Sequence, residues 1–186
     1  MSILIAFSPF IAFVIVERLL GVGPGLIAGA LVSALLLLRD ALSRDRKIKI
    51  LEAGTFVLFA ALAAYARVAG ADTWPIAAVR LRVDAGLLLI VLISMAVRQP
   101  FTLQYAREQT APDVWRQPGF IRTNYVITAV WAGAFALMVL ADLLLVYRPD
   151  LPHAIAIGVT IAALYGAMTF TTKYAQRAGR ARGPAA

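Results

Sequence analysis

Four ionisable side chains stand at the edges of long apolar stretches, where a charge is costly to keep: Glu17, Asp84, Asp142 and His153. Carboxylates and an imidazole gathered there would make a proton relay or a site for a small cation, because an ionisable group in a membrane persists where it is paired, hydrated or used. Asp142 is the deepest of them, about one helical turn inside its apolar block. The competing reading, and the more economical one, makes each a helix cap or a snorkelled interfacial group. Glu52, Gln99, Asn124 and Thr128 form a second polar set at the other ends of the blocks. Other chemistry is poorly supplied. One histidine and no cysteine leave little for a zinc site or an activated thiol. There is no glycine-rich phosphate loop and no carboxylate pair at catalytic spacing. The sequence therefore predicts no enzyme, no catalytic residue, no metal ligand and no cofactor.

The elements that must position these groups are six apolar blocks, near residues 3–20, 22–38, 50–68, 84–97, 123–146 and 153–172. The chain has 186 residues, of which 61% are hydrophobic, and its mean hydropathy is +0.81. A helical crossing takes about 20 apolar residues, and backbone groups in lipid must be satisfied within each segment. The fold class expected is all-α, a polytopic transmembrane helical bundle of about six spans forming one integral membrane domain over residues 1–186. No basic run precedes Ile3, and the first block ends in Glu17-Arg18 rather than in small residues, so it reads as a retained span and not a cleaved signal. Asp84 is expected to open the fourth span as its N-cap. Before it, the loop Ala69–Arg82 holds Trp74-Pro75 as an interfacial anchor.

A net charge of +8 would suit nucleic acid, but its distribution has a simpler cause. With six spans, thirteen Lys and Arg fall on the side of the termini, the 39–49 loop, the 98–122 segment and the 173–186 tail, against five on the other. The positive-inside rule then places both termini in the cytoplasm of a bacterial inner membrane, with membrane lipids as partners and no nucleic acid. The dense run Arg39–Lys49 is expected to lie among lipid headgroups.

Gly25, Gly29 and Ser33 repeat at four-residue spacing along span 2, a small-residue face for close helix contact, within the bundle first and between copies second. Asn124, Thr128, Trp131, Phe135 and Asp142 follow one face of span 5. Residues 98–122 are too polar to cross; Pro100 suits the start of a short helix, and Phe101, Tyr105 and Trp115 punctuate the charges in the manner of an interfacial collar. At an offset of 69, Phe101–Ala106 matches Phe170–Ala175 at four of six positions, and Asp84 falls on His153. That register predicts repeated helical hairpins, spans 3–4 on spans 5–6.

The closely spaced first two blocks, the basic loop Arg39–Lys49, the turn Arg98-Gln99-Pro100-Phe101 leading to Tyr105-Ala-Arg107, and the stretch Pro112…Trp115, Asn124…Trp131 resemble the intracellular septation protein A (YciB-like) family. The resemblance implies a polytopic inner-membrane protein that supports envelope integrity or septation without catalysis, with envelope or division proteins as partners. It carries no catalytic residue with it. The alternative function is a small multi-span transporter working through the acidic groups, Asp142 first.

Overall fold

The computed structural model describes residues 5–43, 47–70 and 74–180. Residues 3–4 of the first expected span, 44–46 of the basic loop, 71–73 of the outer loop and 181–186 of the tail lie outside the described residues. Among the described residues there are seven α-helices, a short 3-10 turn over Pro112–Val114 and no strand. In chain order the helices are α1 (Ser8–Leu20), α2 (Val22–Leu42), α3 (Ile50–Ala69), α4 (Ile76–Ala96), α5 (Phe101–Arg107), α6 (Pro118–Tyr147) and α7 (Ala154–Arg180).

Four of these, α2, α3, α6 and α7, are long and apolar enough to cross a membrane. Helix α1 is only 13 residues long, and α4 carries Arg80, Arg82 and Asp84 in its first half. The placement of Asp84 corrects the sequence reading. The helix starts at Ile76, directly after Pro75, whose carbonyl accepts from the Ala78 and Val79 N–H groups. Proline fixes the entry φ and needs no N–H there, so Asp84 lies buried in the third turn and not at the helix start. The 69-residue register does not match the helix ends: Gly70, Trp74 and Pro75 lie outside α3 and α4, whereas their counterparts Val139, Leu143 and Leu144 lie inside α6.

The chain divides into two compact units, residues 1–90 and 91–186. In the first, Gly21 (φ 94°) turns α1 back along α2, and glycine is the residue that takes such a φ without steric cost. A Cβ on Gly25 would lie 2.8 Å from Glu17 Cβ of α1, and one on Gly29 would lie 2.7 Å from the Phe59 ring of α3. The opposite face of α2 presents Ile27, Leu31, Leu35 and Leu38, all exposed. A helix apolar all round suits a membrane span, with protein packed on its small-residue side. Phe59 fills the centre of this unit with Phe13, Leu26, Ala66, Val79 and Val83.

The second unit runs from the end of α4 through α7. The last turn of α4 closes in a Schellman arrangement: Gln99 N–H donates to Ser94 O at 2.9 Å and Arg98 N–H to Met95 O at 3.0 Å. Arg98 takes the left-handed conformation, φ 58°, where glycine is usual. Pro100 then stops the helix and serves as N-cap residue of α5. Helices α6 and α7 pack as an antiparallel pair with α5 against α6.

Candidate functional site

The most concentrated set of charges lies in the first unit, where α2 ends and α3 begins. Arg39 sits in the last turn of α2 and Glu52 in the first turn of α3, the ends at which each sign is favoured by the helix dipole. Asp40 carries an ion pair with the Lys49 ammonium and another with Arg39 at 2.9 Å. Glu52 approaches Lys49 at 3.6 Å and Arg39 at 3.8 Å. Asp40, Lys49 and Glu52 are each 97% or more buried. The expectation that the run Arg39–Lys49 lies among lipid headgroups is corrected at Lys49: its ammonium turns inward to two carboxylates, nine residues before and three after. A buried pair of this kind contributes little net stability but costs several kcal/mol when one member is lost, about 3–5. Its effect is to fix the α2–α3 corner.

The second unit has a polar seam along α6. Thr102 Oγ1 lies 2.7 Å from Thr128 Oγ1 and donates or accepts there, and it is 2.9 Å from the Asn124 carbonyl. The Asn124 amide donates to Phe120 O, and Trp131 Nε1–H donates to Thr171 Oγ1 at 3.0 Å. Asn124, Thr128, Trp131, Phe135 and Asp142 are all buried, so the helical face that the sequence marks is the inward one. The collar also differs from the sequence reading. Phe101 and Tyr105 are buried, and Phe101 meets the Trp131 ring edge-on at 6.3 Å. Their apolar area finds a partner inside the unit rather than at a headgroup layer. Trp115 donates Nε1–H to Thr110 O at 3.0 Å, which holds the loop between α5 and α6.

Above that seam is an open cavity of about 450 Å³. The α5–α6 loop contributes Gln109, Thr110 and Asp113 to it, the first turns of α6 contribute Phe120 and Asn124, and α7 contributes Ala175 and Gly179. Sequence reasoning missed this cavity, and it missed the ion cluster. The signal for the latter in the sequence is Asp40 inside the basic run and Glu52 three residues after it.

The four ionisable groups first singled out are divided between the two units. Glu17 and Asp84 belong to the first unit, Asp142 and His153 to the second. Among the described residues no three His, Asp or Glu side chains gather in a way that could hold a metal ion. Glu17 backs the close approach of Gly25, and the His153 carbonyl accepts from Ile157 N–H at the start of α7. Asp142 is fully buried in α6. Compared with protein-family models, curated proteins and solved structures, the chain matches none.

Proposed function

We propose that the chain is a six-span protein of the bacterial inner membrane, with both termini in the cytoplasm. It acts without catalysis, supporting the envelope or septation by holding lipids and envelope or division proteins. The observation that carries this reading is the ion cluster Arg39–Asp40–Lys49–Glu52. Its charges satisfy one another at the ends of two candidate spans, which suits a fixed docking corner better than a reactive centre. In this topology α1 and α4 supply the fifth and sixth spans. Helix α4 has 21 residues, a rise of about 32 Å, and its Arg82 guanidinium lies 4.6 Å from the Trp74 ring, a pairing suited to an interface. The excess of Lys and Arg on one side supports the orientation, and the likeness to the septation family supports the envelope role.

The test is photo-crosslinking in native membranes from two exposed positions, Lys47 and Tyr147, which lie on opposite sides in this topology. Identified division or envelope proteins should be captured from Lys47, with a yield that falls in Lys49→Met. Equal capture from both positions, or none from Lys47, would defeat the scaffold reading. Asp142 favours a second reading, transport, since a fully buried carboxylate within a span is a functional candidate on energetic grounds. Proton- or cation-coupled flux in vesicles that Asp142→Asn abolishes would establish it; vesicles with no flux, or flux indifferent to the change, would remove it.

A further inference from the structure

The cavity of the second unit lies where α6 begins and α7 ends, at the adjoining ends of two helices long and apolar enough to cross a membrane. Its depth is therefore that of lipid headgroups, given the membrane reading above, on which this inference rests. A volume of about 450 Å³ is within the range of small-molecule sites. The lining is graded. Phe120 and Ile127 stand on the side of the span, Gln109 and Gln117 on the side of the loop, and Asp113 is the one charged residue among the described lining positions. Small residues make the room, for Gly179 has nothing within 4 Å of where a Cβ would be.

We propose that this cavity binds a phospholipid whose headgroup ends in a primary amine. The Asp113 carboxylate takes the ammonium, the side-chain amides of Gln109 and Gln117 take the phosphate and glycerol oxygens, and the first acyl carbons lie against Phe120 and Ile127. A headgroup with no amine would bring nothing to pair with the Asp113 carboxylate, which argues against it. A trimethylated amine has the charge but no N–H to donate, so it loses the hydrogen bond to Asp113. A free soluble amine would leave the apolar side of the cavity unfilled.

The test uses the full chain in lipid discs containing equal parts of amine, choline and glycerol phospholipids, with retained lipid counted by native mass spectrometry. The amine lipid should be enriched roughly three- to fivefold over the other two, the scale of a partly exposed ion pair. Gly179→Leu, which puts a side chain into the cavity, should abolish retention while the thermal midpoint holds. Asp113→Asn should keep retention but bring the three lipids to parity. Equal retention of all three by the wild type, enrichment that survives Gly179→Leu, or displacement by millimolar ethanolamine would each overturn the proposal. These outcomes are separate from failure of the membrane reading, in which the chain would not enter discs at all.

Discussion

Replacing Gly29 by alanine is the sharpest perturbation of the first unit, and its cost follows from measured space. The new methyl would sit 2.7 Å from Phe59 Cδ1 and 2.8 Å from Cε1 and Cγ, against a normal carbon contact of about 3.5–4.0 Å. The ring must retreat by about 1 Å. Behind it stand Phe10 at 5.2 Å and Phe13 at 5.6 Å between ring centroids, and Phe59 is fully buried, so the retreat needs α2 and α3 to part. Overpacking of this kind costs about 1–3 kcal/mol, or several degrees of thermal midpoint at about 2–4 °C per kcal/mol for a chain of this length. Phe59→Leu alone loses ring contacts, at a cost below the roughly 3–5 kcal/mol of truncation to alanine. In the double variant the added methyl fills part of the space the ring left. The cost of the double variant should therefore fall short of the sum of the two single costs by about 1 kcal/mol or more. Thermal and denaturant unfolding in one fixed detergent, with light scattering for oligomer size, completes the cycle. Additivity within about 0.5 kcal/mol would refute the contact, and a change in oligomer size with unchanged stability would move the small-residue face to an interface between copies.

Three further outcomes can be checked. Arg98→Gly should raise stability by about 1 kcal/mol, relief of the left-handed φ outweighing the added freedom of the unfolded chain, and Arg98→Ala should give no such gain; thermal unfolding decides it, and loss of stability in the glycine variant would mean that the guanidinium itself holds the turn. Lys49→Met should cost about 3–5 kcal/mol by stranding buried carboxylates, with Asp40→Asn in the same chain recovering part of the loss; equal midpoints for single and double variants would show the cluster to be incidental. A reporter fused after Ala186 should read out in the cytoplasm, and a signal from the far side of the membrane would mean an odd number of spans or an inverted bundle.

Much of the helical architecture was legible because apolar length and lipid solvation leave few alternatives, and the block limits for α2 and α3 fall within a few residues of the helices. The start of α4 was not, because Trp74-Pro75 looks like an anchor and Asp84 like a cap, and nothing local says that the helix takes up Arg80 and Arg82 first. Gly25 and Gly29 were visible as spacing. Gly54 and Gly86, whose added Cβ atoms would meet Ile90 and Leu58, were not, since neither belongs to a repeating small-residue face. The ion cluster was hidden for a different reason. A basic run beside a span has an adequate explanation in topology, and only tertiary proximity shows that Lys49 has carboxylates to turn to.

The length of α6 has a consequence for the surface of the membrane itself. Its 30 residues rise about 45 Å, while a hydrocarbon core is about 30 Å thick. The paired α7, with 27 residues, rises about 40 Å. In the proposed topology a bilayer cannot take both along its normal, so the pair either leans steeply or stands proud, and if the excess lies on the side of Pro118 and Arg180 it is about 10 Å for α7, a mismatch that lipids relieve at fractions of a kcal/mol per Å. That height equals the distance over which physiological salt extinguishes a surface field, about 8–10 Å. Arg122, Arg177 and Arg180 would then sit where the pull of an anionic leaflet changes most steeply with ionic strength, and the tilt of the helix pair becomes a quantity that salt can set.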